Sequence, residues 1–338
     1  GHPPEQVVLE RQYYFVMMSG AFFALLKACV AGYFCGIGKT RVVMITDVLG
    51  VLINIPLTWA LIFGKLGFPE LGIRGAALAT VIATACSLLI YAAFYFNRIH
   101  RERFHVADSF RFDPGILRRY VRLGLPSGFE TFVGAATFNF FLLLFQSYGI
   151  AEGAAMAIVF NWDMLNYVPL IGLNIAITSM IGRYVGARDM TRAGQLIAAG
   201  FTIALGFSVV LALFFVLFRY ELMMVFATPG EDFSEIASLG ASMMLGMATY
   251  VVADAVILVC SGVLRGAGDT RWLMNTSMSL HVLMLVAQYV MIKHLEVGPL
   301  VSWWGFVAML LALAVVYLLR LRGSTWRKPS RLARVMAD

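Results

Sequence analysis

Long apolar segments are the feature of this sequence that most restricts its fold. Nine of them can be delimited, each near or above the roughly 20 residues that a helix needs to cross a membrane. They are residues 13–36, 42–64, 72–97, 116–147, 151–182, 193–218, 234–264, 273–293 and 299–320. A bilayer offers no water to backbone polar groups, so such runs without strand-like alternation predict helices. We therefore predict an all-α integral membrane protein, a polytopic helical bundle of about nine transmembrane helices.

The composition supports this class and excludes others. The chain is 60% hydrophobic and 13% charged, whereas a soluble domain is about 45–50% apolar and about 25% charged. The net charge of +7 is carried by loop residues, so it does not indicate nucleic-acid binding. The sequence has no nucleophile–base constellation, no phosphate-binding loop and no metal-ligand spacing of His and Cys. We therefore predict that the protein is not an enzyme.

The distribution of Lys and Arg predicts the orientation of the spans. When loops are assigned alternately to the two sides, one side receives 20 of the 26 basic residues and the other receives five, with Lys27 left inside a span. In membrane proteins the cytoplasmic loops carry the excess of positive charge. We therefore expect a multi-pass protein of the inner (plasma) membrane whose C-terminus is cytoplasmic.

A repeated glycine motif relates two parts of the chain. Residues 36–44 read GIGKTRVVM and residues 266–274 read GAGDTRWLM, with five identities in nine positions and an offset of 230 residues. Gly262, Gly266 and Gly268 predict that the helix before the second copy breaks there. Both copies fall in predicted cytoplasmic loops, so the halves share one orientation, as in transporters built from parallel repeats.

The repeat also predicts the domain organisation. The expected parts are a partial first lobe at 1–97, a cytoplasmic linker at 98–115, a complete six-helix second lobe at 116–321 and a basic cytoplasmic tail at 322–338. The first motif copy begins only 36 residues into the chain. By symmetry with the second half, we expect a twelve-span protein of which three preceding spans are missing from this sequence.

Four segments resemble the multidrug and toxic compound extrusion (MATE) family. They are GIGKTRVVMITDVLGVLINIPLTWALIFGKLGFPELGIRGAALATVIA (36–83), RLGLPSGFE (122–130), VPLIGLNIAITSMIGRYVGARD (168–189) and SGVLRGAGDTR (261–271). The resemblance covers nearly the whole chain. It implies a two-lobed antiporter that expels amphipathic, often cationic compounds in exchange for inward Na+ or H+.

Three carboxylates lie within predicted spans of the second half: Asp254, Glu130 and Asp163. Ionisable groups inside a bilayer are costly and usually face the interior of the helix bundle. Asp254 follows Tyr250 by one helical turn, so both side chains lie on one face. A cation or proton can bind between them, and the resemblance implies a cation site with tyrosine and aspartate at this spacing.

Carboxylates from three helices of one half predict a single water-filled acidic cavity, which suits either a proton or a metal ion. Asp254 and Glu130 are the candidate Na+ ligands. The family's Na+-coupled branch tends to carry its glutamate four residues later, where this chain has Gly134, so Glu130 departs from that pattern. Asn161 and Asn174 share the span of Asp163 and are candidate residues of the substrate cavity. For each carboxylate the alternative is a polar contact between packed helices.

Two further polar residues lie in the first half. Asn54 fits the family's asparagine in the fifth span. Lys27 either pairs with Asp47, pairs with a group in the absent spans, or extends to the membrane surface. Both are candidate residues of the substrate cavity.

Together these observations predict a multidrug or organic cation efflux antiporter that works by alternating access. Its expected partners are small amphipathic cations and membrane lipids, its coupling ion is Na+ or H+ with no other cofactor, and it is expected to be a monomer. One alternative is a lipid-linked oligosaccharide flippase of the same superfamily, which needs a basic cavity for a pyrophosphate. The other is a membrane fragment that does not transport.

Overall fold

The computed structural model describes residues 4–104, 106, 112–227, 233–323 and 326. The chain divides into two compact units, Gly1–Asp113 and Pro114–Asp338. The boundary falls within the segment predicted as a linker at 98–115. Most of the basic tail predicted at 322–338 lies outside the described residues.

The first unit consists of five helices in its described part. They are α1 (Pro4–Ser19), α2 (Ala21–Gly36), α3 (Thr40–Phe63), α4 (Gly72–Tyr95) and α5 (Arg98–Phe104). The first predicted span, 13–36, begins earlier than expected and is bent by 45° between α1 and α2. Gly20 lies at the bend, where a Cβ atom would collide with Val81 of α4. The bend therefore coincides with a close approach that only glycine permits.

A short helix, α5, was not anticipated in the predicted linker. Its His100 is buried, and the two ring nitrogens lie 3.0 Å from the Tyr33 hydroxyl and 3.1 Å from Lys39 Nζ. Burial and the neighbouring Lys39 ammonium lower the pKa of His100. The neutral ring has one donor and one acceptor nitrogen, so it can donate to Tyr33 and accept from Lys39. These contacts attach α5 to the turn between α2 and α3.

The second unit consists of seven helices in its described part. They are α6 (Pro114–Gln146), α7 (Ile150–Gly186), α8 (Met190–Leu217), α9 (Arg219–Met224), α10 (Ser234–Gly266), α11 (Thr270–Lys293) and α12 (Pro299–Arg322). Helix α10 packs against α7, α8, α9, α11 and α12 and is the central helix of the unit. Its most apolar window is 67% buried, against at most 33% for any other candidate span described.

The predicted membrane class and span count agree with this architecture. Within the described residues, eight helices are individually long and apolar enough to cross a membrane, and the bent α1–α2 pair provides a ninth if it crosses as one span. The protein is an all-α, multi-pass membrane protein. The described helix bounds lie within a few residues of the predicted ones, apart from the earlier start of α1 and the longer α7.

The predicted helix break at Gly262 is wrong, because α10 continues to Gly266. A Cβ at Gly262 would lie 3.0 Å from the Asn174 carbonyl oxygen, and one at Gly266 would lie 2.6 Å from the Thr178 carbonyl oxygen. These two glycines bring the backbones of α7 and α10 together, as small residues do between membrane helices. Only Gly268 has the positive φ, 78°, that ends the helix.

The core of the second unit contains two apolar clusters that meet on α10. Met247, Tyr250 and Val251 belong to the first cluster, which surrounds Trp303. Ala255 and later residues of α10 belong to the second, which includes Ile177. Asp254 therefore lies between two apolar clusters, where an unbalanced charge is costly.

Candidate functional site

Asp163 of α7 and Asp254 of α10 form a buried pair in the second unit. Their residues are 7% and 9% exposed, and the two carboxylates are close enough to interact electrostatically. Helices α7 and α10 pack along much of their length, which positions the two side chains. Two negative charges at such a position repel each other, so the pair favours the binding of a positive charge.

Two tyrosines, Tyr250 and Tyr167, complete this site. We call Asp163 and Asp254 together the acidic pair. Tyr250 precedes Asp254 by one turn of α10 and is 1% exposed. Both phenol groups interact electrostatically with Asp163 and Asp254. The shared face of Tyr250 and Asp254 stays a prediction from their spacing, whereas Tyr167 was not identified from the sequence.

Two polar atoms of the site have no hydrogen-bond partner in the described part of the chain. They are Asp163 Oδ1 and the Tyr250 hydroxyl, both buried. A buried polar atom without a partner is rare in native proteins and calls for an ion, a proton or a water molecule. Carboxylate and phenol oxygens are suitable ligands for a hard cation such as Na+, and either carboxylate can accept a proton. The donor set therefore fits both candidate coupling ions.

Glu130 has a different environment from the acidic pair. Its Oε2 accepts a hydrogen bond of 3.1 Å from Arg265, on the last turn of α10. Arg265 also donates to Asn174 Oδ1 at 3.3 Å. The side chains of Glu130 and Arg265 are 10% and 29% exposed, so the ion pair is largely buried.

This pairing differs from the predicted cavity of three carboxylates and from a Na+ site built on Asp254 and Glu130. Arg265 directly follows the predicted span 234–264, but its side chain reaches back between the helices and neutralises Glu130. The negative charge of Glu130 is therefore already balanced. Among the described residues, Asp163 and Asp254 lie within electrostatic range of each other, and Glu130 has a separate partner in Arg265.

The asparagines of α7 have three different environments. Asn174 donates to the Leu258 carbonyl at 2.6 Å and to Ser261 Oγ at 3.0 Å. Asn166 is buried, accepts from Ser208 Oγ at 2.8 Å and donates to the Val251 carbonyl at 3.4 Å. These two therefore connect α7 to α8 and α10.

Asn161 is exposed and donates to the Ala157 carbonyl of its own helix at 2.9 Å. The structure therefore does not connect Asn161 to the acidic pair. Its proposed place in a substrate cavity remains a prediction.

In the first unit, Lys27 pairs with Asp47 at 2.9 Å. This contact selects one of the three alternatives left open for Lys27. Asn54 lies seven residues after Asp47 on α3, a spacing of about two turns that puts both on one face. The role of Asn54 and Lys27 in substrate binding remains a prediction.

Sequence reasoning missed Arg265, Asn166 and Tyr167. A signal was present for Arg265, since a cation on the last turn of a long apolar helix can point back into the bundle. Asn166 and Tyr167 follow Asp163 by about one turn. That spacing could have marked them as neighbours of the carboxylate on α7.

Comparison with known proteins identifies relatives over nearly the full length. The MatE family model matches residues 126–290. The probable multidrug resistance protein NorM of Thermotoga maritima is 29% identical over 327 residues, which are 96% of this chain and 69% of that protein.

Solved structures have the same fold. One shows the outward-facing conformation of a multidrug resistance MATE family transporter of the MOP superfamily, with a TM-score of 0.85 and 24% identity over 97% of this chain and 72% of that one. Another is a MOP superfamily transporter from Pyrococcus furiosus, described as having a binding pocket of reverse polarity that suggests a different function. It has a TM-score of 0.85 and 25% identity, again over 97% of this chain and 72% of that one.

Proposed function

We propose that the chain is a transporter of the MATE family and that it exports small amphipathic cations in exchange for inward Na+ or H+. The name of the Thermotoga maritima relative, a probable multidrug resistance protein, supports the substrate class. The observation that carries the proposal is the buried Asp163–Asp254 pair, beside which one carboxylate oxygen and one phenol have no hydrogen-bond partner among the described residues. Carboxylates repel anions, so this arrangement does not suit a protein that expels anions.

The coupling follows from charge balance at the pair. Binding of Na+ or H+ relieves the repulsion between the two carboxylates, and so does binding of a cationic substrate. In this proposal the coupling ion and the substrate use the same carboxylate oxygens, so binding of the coupling ion displaces the substrate. If the pair faces the two sides of the membrane alternately, this competition becomes exchange transport.

Glu130 takes part indirectly in this proposal. It holds Arg265 away from the acidic pair, so that the guanidinium does not compete with the coupling ion. Arg265 in turn orients Asn174, which is bonded to Ser261 of α10. The Glu130–Arg265–Asn174 chain thereby fixes the α7–α10 contact on which the acidic pair depends.

The flippase alternative requires basic groups facing a pyrophosphate. The name of the Pyrococcus furiosus neighbour indicates that pocket polarity differs within the superfamily, so the sign of the charge is the relevant criterion. In the second unit the acidic pair favours a cation. In the first unit the ammonium of Lys27 is paired with Asp47. We propose a transporter and not an enzyme, monomeric in the inner membrane, with Na+ or H+ as the only cofactor.

The test uses the purified chain reconstituted in vesicles, with ethidium as substrate and a Na+ or proton gradient as the driving force. We expect the Asp254→Asn variant to lose gradient-driven ethidium transport, because the neutral amide cannot bind a cation as a carboxylate does. Glu296→Gln is the matched control, since Glu296 is an exposed acid in the turn before α12. Asp254→Asn vesicles that transport ethidium as well as the control would contradict the proposal.

A binding measurement separates transport from recognition. Ethidium fluorescence should report binding that weakens on acidification in the parent protein and that is much weaker in Asp163→Asn and Asp254→Asn. If an anionic lipid pyrophosphate binds instead and ethidium does not, the flippase alternative replaces the proposed function.

A further inference from the structure

A groove between α6 and α11 is the feature of the second unit that the proposed function does not use. Its volume is about 560 Å³. Its lining comes from α6 and the first two turns of α11, and consists of Arg118, Val121, Arg122, Leu125, Pro126, Phe129, Arg271, Met274 and Asn275. We call it the α6–α11 groove. The buried Glu130 does not line it.

One end of the groove is cationic. Arg118 and Arg122 are one turn apart on α6, and Arg271 is the second residue of α11. All three are exposed, and the described lining contains no carboxylate. The nearby Asp269 has its charge balanced by Arg320, which donates to it at 3.0 and 2.8 Å.

The backbone adds to this positive potential. Helix α6 begins at Pro114 and α11 begins at Thr270, so the N-terminal ends of both helices lie at the cationic end. The N-terminus of a helix carries a partial positive charge and attracts anions. The guanidinium groups of Arg118 and Arg271, together with the two helix ends, thus favour one negatively charged group.

The other end of the groove is apolar. Leu125 and Phe129 follow Arg118 by 7 and 11 residues and lie on the same side of α6 as Arg118 and Arg122. These four residues form a stripe along the helix. With a rise of 1.5 Å per residue, the stripe is about 16 Å long. Leu125 and Phe129 are 55% and 49% exposed, and Met274 faces them from α11. Polarity therefore changes along the groove from cationic to apolar in the direction that enters the membrane.

We propose that the α6–α11 groove binds one anionic phospholipid. The phosphate contacts Arg118 and Arg271, and an acyl chain lies along Leu125, Phe129 and Met274. A free anion would use only the cationic end and leave the apolar stripe uncovered. The helix ends that form the cationic end lie on the predicted cytoplasmic side, where anionic lipids attract basic residues.

The test compares lipid binding by the intact chain and by variants. The purified protein is exchanged into mixed micelles, and retention of phosphatidylglycerol against phosphatidylcholine is measured by native mass spectrometry. We expect preferential retention of phosphatidylglycerol by the parent. The double variant Arg118→Gln, Arg271→Gln should bind it about 30-fold more weakly, given about 1 kcal/mol for each of the two basic residues.

A matched control removes two other cations from the same predicted side. Arg183 and Arg188 are exposed at the end of α7 and do not line the groove, so Arg183→Gln, Arg188→Gln should retain the preference. Equal losses in the two double variants would show a diffuse surface effect and overturn the proposal. Neither double variant changes the acidic pair, so ethidium binding is a separate readout that can succeed or fail independently.

A final measurement distinguishes a bound lipid from a bound free phosphate. Glycerol 3-phosphate, which has the headgroup chemistry without acyl chains, should not displace the lipid at equal concentration. The Phe129→Asn variant should lose the preference for long-chain over short-chain phosphatidylglycerol while retaining the preference for negative charge. Displacement by glycerol 3-phosphate, or an unchanged chain-length preference in Phe129→Asn, would contradict a lipid occupant.

Discussion

At the scale of single residues, the partner of each ionisable side chain decides its role. Asp163 and Asp254 repel each other between two apolar clusters, whereas Glu130 is neutralised by Arg265 at 3.1 Å. Residues that resemble one another in the sequence thus differ in chemistry. The first pair is suited to bind a mobile cation, and the second is already a closed ion pair.

The ion pair between Glu130 and Arg265 yields a prediction about stability. Glu130→Gln leaves a largely buried guanidinium without its counter-charge, which should cost about 2 kcal/mol. Replacing both residues, with Glu130→Gln and Arg265→Gln, should cost less than the sum of the two single changes. Apparent melting temperatures of the four proteins in one detergent form the double-mutant cycle.

The control for this cycle is the Arg98–Glu102 pair of α5. Its bond is 2.8 Å long, but its side chains are 89% and 66% exposed. Glu102→Gln should change stability by less than about 0.5 kcal/mol, as expected for a surface pair. An effect of Glu130→Gln no larger than that of Glu102→Gln would contradict a structural role for the buried pair.

At the scale of helices, the glycine motif has a packing role and a docking role. Gly266, the first glycine of the second copy, lets α10 approach α7, together with Gly262 four residues earlier. The position after the second glycine of the motif contacts another helix in each unit. Lys39 contacts His100 of α5, and Asp269 accepts two hydrogen bonds from Arg320 of α12. In both copies this position of the turn makes a polar contact with another helix, although the residue is Lys39 in the first copy and Asp269 in the second.

The close approach of α7 and α10 leads to a prediction for Gly266. A Cβ there would lie 2.6 Å from the Thr178 carbonyl oxygen and 2.9 Å from Ile181 Cβ. Gly266→Ala should therefore destabilise the protein by about 1–3 kcal/mol through overpacking. Because the acidic pair spans the same two helices, ethidium binding should weaken as well.

The matched control is Gly172→Ala on α7. Nothing lies within 4 Å of a Cβ at that position, so alanine should be neutral or stabilising by up to about 1 kcal/mol through its higher helix propensity. The apparent melting temperatures of the two variants are compared with that of the parent protein. If Gly172→Ala and Gly266→Ala behaved alike, the helix contact would not be set by these glycines.

At the scale of the whole molecule, the asymmetry of basic residues predicts how the chain crosses the membrane. With 20 Lys and Arg residues assigned to one side and five to the other, the turn between α7 and α8 is predicted to be cytoplasmic. The turn between α11 and α12 is predicted to lie outside. This orientation also underlies the proposed lipid site, because the cationic end of the α6–α11 groove is placed on the cytoplasmic side.

Cysteine labelling tests this orientation. In a background lacking the four native cysteines, Arg188→Cys and Glu296→Cys each place one thiol in an exposed turn. A membrane-impermeant maleimide should label Glu296→Cys in intact cells and Arg188→Cys only after permeabilisation. The opposite pattern would reverse the assignment of the cytoplasmic side.

The sequence by itself determined the membrane class, the number and approximate bounds of the spans, and the candidate carboxylates. Each of these depends on local properties: the length of an apolar run, the rarity of charge inside it, and a spacing along one helix. Asp254 and Tyr250 could be paired from the sequence because they are one turn apart on α10.

Only the tertiary structure decided which carboxylates meet, that Arg265 neutralises Glu130, and that Gly262 is a packing position and not a helix break. A helix in lipid is apolar on its outward face as well as its inward face, so the one-sided pattern that orients a helix in a soluble protein is weak here. The facing residues are therefore set by contacts between segments far apart in the chain, such as Glu130 and Arg265. Those contacts depend on shape and charge across helices, which no local pattern contains.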